Sequence, residues 1–303
     1  MWKLHDWIDE SKLDWSALSL NPNAISLLEK NPEKIVWDKL SSTFFNHPAL
    51  NGLDQRPDKY GWPVHASLSC NPNAIPLLAQ QIITHPEKID WDGLSLNPNA
   101  ISLLEQYPEK IDWVNLSFNP NAISLMEQYP EKIDWVNLSL NPNAISLLEQ
   151  YPEKINWGML SLNPNVSLLE QYPEKINWGM LSLNPNAIHL LEQYPEKINW
   201  SNLSNNPNAI HLLEQYPEKI NWCNLSCNSN AVHLLEQYPE KIDWYWLSRN
   251  SNAIFLLEKY PEKIDWDMLS CKPNAISFLK QHPEKIFWRY FSANPNIFTF
   301  NDK

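Results

Sequence analysis

Residues 119–140 read Asn119-Pro120-Asn121-Ala122-Ile123-Ser124-Leu125-Met126-Glu127-Gln128-Tyr129-Pro130-Glu131-Lys132-Ile133-Asp134-Trp135-Val136-Asn137-Leu138-Ser139-Leu140. Asn119 is a good helix N-cap, and Pro120 follows where a missing N–H costs nothing. Ala122, Ile123, Leu125 and Met126 place apolar side chains at helical spacing, with Asn121, Ser124 and Gln128 on the other face. Pro130 stops that helix, because the residue before a proline avoids the α region. Asp134 caps a second helix carrying Trp135 and Leu138 one turn apart. The two helices are expected to run roughly 9 and 6 residues, too short to persist alone in water. They must therefore stack on neighbours.

The neighbours are copies of the same text. Units begin at Asn21, Asn46, Asn71, Asn97, Asn119, Asn141, Asn163, Asn184, Asn206, Asn228, Asn250 and Lys272. From Asn97 the spacing is 22 residues, except 21 after Asn163, where Asn-Pro-Asn-Val166 lacks one residue. The unit at Asn46 is degraded, with Pro57-Asp58-Lys59-Tyr60-Gly61-Trp62 in place of Pro-Glu-Lys-Ile-Asp-Trp. A half unit, Lys12–Ser19, precedes the array, and a stub, Asn294–Phe298, ends it. This periodicity predicts one all-α domain, an α-solenoid of about twelve stacked helical hairpins of 22–26 residues. Its expected parts are an N-terminal half repeat and cap (1–20), irregular longer repeats (21–96), regular repeats (97–293) and a C-terminal cap (294–303). Stacking at about 9–10 Å per unit implies a rod or superhelix roughly 110 Å long. Trp2, Leu4, Trp7 and Ile8 are expected to shield one end, and Ile297, Phe298 and Phe300 the other. The missing residue near Val166 is expected to disturb the curvature locally.

Composition removes several functions. Only 5 Gly occur in 303 residues, and no glycine-rich phosphate-binding string is present. A net charge of -12, with only three arginines (Arg56, Arg249, Arg289), argues against nucleic acid or an anionic membrane as partner. No apolar run is long enough to span a bilayer, and the first residues lack the apolar core of a signal peptide. Four cysteines in a chain of this length make no disulfide framework.

The candidate chemical groups dissolve into the repeat. The second-helix cap is Asp in some units and Asn in others, for instance Asp134 and Asn156. These cap alike but are not interchangeable as acid or base. The recurring Glu-Lys pairs, such as Glu131-Lys132, read as solvated charge ladders, so no catalytic residue is expected. His189, His211 and His233 share one position in consecutive units. Units about 10 Å apart are too distant for easy shared metal coordination, so these read as exposed variable residues. Cys223 and Cys227, with His211 near, could form half a zinc site, but Cys227 shares its position with Leu, Asn and Arg and reads as a small filler. No metal or cofactor is expected. Modular RNA reading along the Tyr row is disfavoured by acidity and by positions that barely vary. The variable residues are those after the second-helix Trp, the residue before each unit, and one first-helix position. Tyr245, Trp246, Arg249 and Phe255 are their densest aromatic and arginine group, a composition enriched at binding hot spots. With the three histidines they are the candidate partner-binding residues.

The string Asn-Pro-Asn-Ala-Ile-x-Leu-Leu-Glu…Pro-Glu-Lys-Ile-x-Trp-x-x-Leu-Ser, over residues 11–299, resembles the short helical repeats of giant DNA viruses of the mimivirus type. The resemblance implies a viral protein of the host cytoplasm or virion, and supplies no catalytic residues. The expected function is a non-enzymatic scaffold for protein partners; the alternative is a structural, self-assembling component.

Overall fold

The computed structural model describes residues 2–35, 40–41, 65–66 and 68–300, and is mostly helical in a regular repeating pattern. In the Asn119 unit the first helix is Ile123–Gln128, the second is Trp135–Leu138, and Pro130–Lys132 between them forms a single 3-10 turn. Both helices are shorter than the spacing predicts. Asn119 does not cap the α-helix directly. Its Oδ1 accepts from Asn121 N at 3.0 Å, closing a turn ahead of it. The second-helix cap is as expected, with Asp134 Oδ1 accepting from Asn137 N at 2.9 Å. The leucine rows and the isoleucine of each Pro-Glu-Lys-Ile turn fill one continuous core, Leu138, Leu148 and Leu160 being fully buried. The tryptophans cover its edge, half-buried. A second apolar row, Phe118, Leu140, Leu162 and Leu183, lies apart from that core.

Successive units are sewn together by polar side chains. Asn119 is buried, and its Nδ2 donates to Ser95 O, near the end of the Asn71 unit, and to Asn97 O, which opens the next unit, both at 3.0 Å. Asn121 Nδ2 donates to Pro98 O at 2.9 Å. Ser95, also buried, donates its hydroxyl to Trp91 O and accepts from Asp112 N at 3.0 Å. Such bonds satisfy backbone groups that helices this short leave orphaned.

The ladder closes on itself. Asn21 Nδ2 donates to Ser292 O at 3.1 Å and to Asn294 O at 2.9 Å, repeating the internal pattern across 271 and 273 residues. Asp14 N donates to Ser292 Oγ, as Asp112 N does to Ser95 Oγ. The stub Asn294–Phe298 and the half unit before Asn21 are thus two halves of one unit, not separate end caps. Among the described residues four short strands occur: β1 (Trp2–Leu4), β2 (Leu40–Ser41), β3 (His65–Ala66) and β4 (Phe298–Phe300). β1 pairs antiparallel with β4, placing Lys3 opposite Thr299. Trp2 meets Phe300 edge-on at 5.3 Å, and Trp7 packs on the fully buried Phe291 at 5.8 Å. Lys3 bonds Asp6 at 2.6 Å and holds its exposed carboxyl below the usual carboxylate range. The two ends of the array therefore meet, where a rod or superhelix with separate ends is expected from the repeat alone.

The ladder runs directly from Asn21 to Asn71. Asn71 Nδ2 donates directly to Asn21 O at 3.2 Å, and Asn73 Nδ2 to Pro22 O. Asn46, Trp37 and Pro57–Trp62 lie outside the described residues. β2 and β3 pair antiparallel, Leu40 opposite Ala66 and Ser41 opposite His65. The 26-residue spacing after Asn71 has a local cause: its first helix, Ile75–Thr84, is lengthened to 10 residues. The missing residue near Val166 is absorbed in the first helix, Ser167–Gln171, while Asn184 Nδ2 still reaches Ser161 O and Asn163 O at 3.1 and 2.7 Å. The ladder therefore passes through that unit unbroken.

One rung departs chemically. Lys272 stands where the other units have Asn, and makes no side-chain cap bond. Lys272→Asn is expected to raise stability by about 1–2 kcal/mol, by restoring a cap and donors to the preceding unit. Urea unfolding checks this; an unchanged midpoint would remove the amide ladder as a stabilising element at that rung.

Candidate interaction surface

The candidate residues fall into two groups with different partners. His189, His211 and His233 project from first helices and are exposed. Their Nε2 atoms lie 2.8, 2.8 and 2.9 Å from Oε1 of Glu170, Glu192 and Glu214, each in the preceding unit. Phe255 takes the histidine position in the next unit. There the row continues as Lys259 Nζ to Glu236 Oε1 at 2.9 Å, with the Lys259 ammonium 5.1 Å from the Phe255 ring centre. The sequence reading placed these histidines at the surface but missed their partners. The signal was available: the Glu of Leu-Leu-Glu lies 19 residues before each His. Exposed pairs of this kind contribute under about 1 kcal/mol each.

Tyr245, Trp246 and Arg249 form the other group, on the second helix Trp244–Leu247 and just after it. Asp243 Oδ1 accepts from Trp246 N at 3.2 Å and starts that helix. The Tyr245 and Trp246 rings meet edge-on at 5.2 Å. Arg249 Cζ sits 5.3 Å from the Trp246 ring centre, and its Nη1 lies 3.9 Å from Met268 Sδ of the following unit. Tyr245 is 46% exposed, Trp246 and Arg249 are half-buried. The guanidinium thus lies between the indole and the thioether sulfur, forming an aromatic–cation face. Phe255 is near in sequence, but its recorded partner is on the first-helix row. The chain turns at buried Asn250 between them.

The other motifs are absorbed by the frame. Each Trp from Trp91 to Trp244 meets the Tyr of the following unit at 4.9–5.4 Å, so those aromatic faces pack on each other. The Pro-Glu-Lys residues are exposed almost throughout, and Lys132 Nζ lies 5.4 Å from the Trp113 ring centre. Cys227 is buried, its Sγ 3.4 Å from Asn205 Oδ1 and 3.3 Å from Asn224 O. Cys223 is half-buried one turn before it, while His211 pairs with Glu192. Among the described residues no three His, Cys, Asp or Glu side chains group as metal ligands. Asp90 is buried, with Oδ1 accepting from Gly93 N at 3.1 Å and Oδ2 lacking a hydrogen-bond partner. No helix among the described residues is long and apolar enough to cross a membrane.

No family model matches the chain, and no curated protein or solved structure matches it.

Proposed function

We propose that the chain is a non-enzymatic α-solenoid scaffold that binds protein partners, and that Tyr245, Trp246 and Arg249 are its principal contact. The observation supporting this reading is the packed, partly exposed aromatic–arginine cluster, on a frame whose other recurring side chains hold neighbouring units together. A rigid aromatic beside a fixed guanidinium loses little conformational entropy on binding and suits a hot spot. The His–Glu row is ancillary in this reading, because each imidazole is already engaged by a glutamate of the preceding unit.

The test is capture of partners from cell lysate with mass-spectrometric quantification, using three baits. The triple variant Tyr245→Ser, Trp246→Ser and Arg249→Ser is expected to lose specific partners about tenfold or more, equivalent to about 1.4 kcal/mol. Phe255→Ser is expected to retain them within about twofold. A melting curve on each bait separates lost contact from lost fold. Equal retention by a folded triple variant would move the contact off this cluster.

A further inference from the structure

We propose that Asn165 is the acceptor of an N-linked sugar, a site created by the residue missing from the Asn163 unit. A regular unit reads Asn143-Ala144-Ile145-Ser146, with the serine three positions after the asparagine. The missing residue brings Ser167 to two positions after Asn165, and Asn165-Val166-Ser167 is an Asn-x-Ser acceptor string.

The same deletion releases the reacting atom. In every other described unit the equivalent asparagine donates its Nδ2 to a backbone carbonyl of the unit before it in the array. Asn143 reaches Pro120 O and Asn186 reaches Pro164 O, both at 2.8 Å. Asn165 Nδ2 makes no such bond among the described residues. Its side chain turns to its own backbone instead, with Oδ1 accepting from Ser167 N at 3.1 Å. The buried ladder through Asn163 and Asn184 continues, while this outer row is interrupted. Asn165 is exposed, and Ser167 is half-buried at the start of its helix. The amide that a transferase must take is therefore already outside the array, with the required serine held beside it.

Asn-x-Ser occurs at five other places, and the fold engages each of them. Asn115, Asn137, Asn202 and Asn224 lie in second helices, and their Nδ2 atoms donate to carbonyls of the preceding unit at 2.7–3.2 Å. The serines that complete those strings are fully buried. Asn199 caps a second helix through Oδ1, Trp200 packs on Tyr216 at 5.1 Å, and Ser201 Oγ accepts from Asn221 and Asn224. A sugar on the engaged amides would put a bulky polar group in place of a bond between units. At Asn165 it displaces none.

The donor is a sugar activated through phosphate. Asn165 Nδ2 attacks the anomeric carbon. The C–N bond forms as the C–O bond to phosphate breaks, and the phosphate leaves with that electron pair. The Nδ2 proton passes to a base of the transferase. A nucleotide carrier delivers a single hexose, and a lipid carrier delivers an oligosaccharide.

The test uses the full chain recovered from the cells that make it. Trypsin cleaves after Lys154 and Lys175, and residues 155–175 hold no second Asn-x-Ser. Mass spectrometry is expected to find that peptide shifted by a sugar. An increment of one hexose assigns the nucleotide carrier, and an oligosaccharide assigns the lipid one. Enzymatic removal of the sugar in heavy-oxygen water is expected to convert Asn165 to a labelled aspartate, which fixes the site. Asn165→Gln and Ser167→Ala, made in the same cells, are expected to lose the addition while keeping the helical circular dichroism of the parent. Ser167→Thr is expected to retain it. A wholly unmodified 155–175 peptide would overturn the proposal. So would a sugar that survives Ser167→Ala, or one found in the folded chain at any of the other five asparagines in place of Asn165.

Discussion

Asn184→Asp is expected to destabilise the ring by about 3–5 kcal/mol, at least as much as Asn184→Ala. Asn184 is fully buried. Its Oδ1 accepts from Asn186 N at 3.0 Å, and its Nδ2 donates to Ser161 O and Asn163 O. Aspartate keeps the acceptor and caps a turn as well as asparagine does. It replaces the donor, however, with an oxygen facing two carbonyl oxygens, which leaves a buried charge uncompensated. Alanine loses all three bonds and strands two carbonyls, each costing about 1–3 kcal/mol. Urea midpoints for the two variants separate the roles. A neutral Asp variant beside a damaged Ala variant would reduce Asn184 to a cap and remove the ladder from the account.

Phe291→Ala is expected to cost about 3–5 kcal/mol, as in the middle of a core, although only 12 residues follow it. In an open array this position would lie in a terminal unit with one face uncovered. Here it is fully buried between Trp288 and Trp7, with ring centres 5.5 and 5.8 Å away. The cavity would weaken the docking of the N-terminal half unit as well. Hydrogen exchange should therefore accelerate in residues 2–20 together with residues 288–300. Acceleration confined to the C-terminal residues would contradict closure through this contact.

Much of the unit was legible in the chain itself. The proline after the tyrosine, the Asp or Asn before each Trp, and the spacing of Leu and Ile mark two helices and their buried faces. Helix lengths were overestimated because an N-P-N start reads as a cap whether it opens an α-helix or a tight turn. The 3-10 form of Pro-Glu-Lys was missed, as a short run after proline carries no distinguishing period. The serine of Leu-Ser carries no period or cap signal that marks it as buried; its hydroxyl is held between two units. At the candidate surface, composition found Tyr245, Trp246 and Arg249 together. It grouped Phe255 with them as well; that ring meets Lys259 of its own helix at 5.1 Å. The histidines drew their partners from the preceding unit, a relation between copies and not within one.

By itself the sequence determined that the chain is helical, that it is built of near-identical units, and which apolar side chains of each unit are buried. These follow from local backbone preference and apolar spacing, which act within one unit. Only the tertiary structure decided that the array closes, that Asn71 reaches Asn21 directly, and that the two ends complete a single unit. Closure depends on a small rotation between neighbours, summed around the ring. A change of a few degrees per interface separates a ring from an open superhelix, and no single residue type encodes it. The ladder asparagine can join any two units whose carbonyls it reaches, so which units became neighbours was settled by packing in three dimensions.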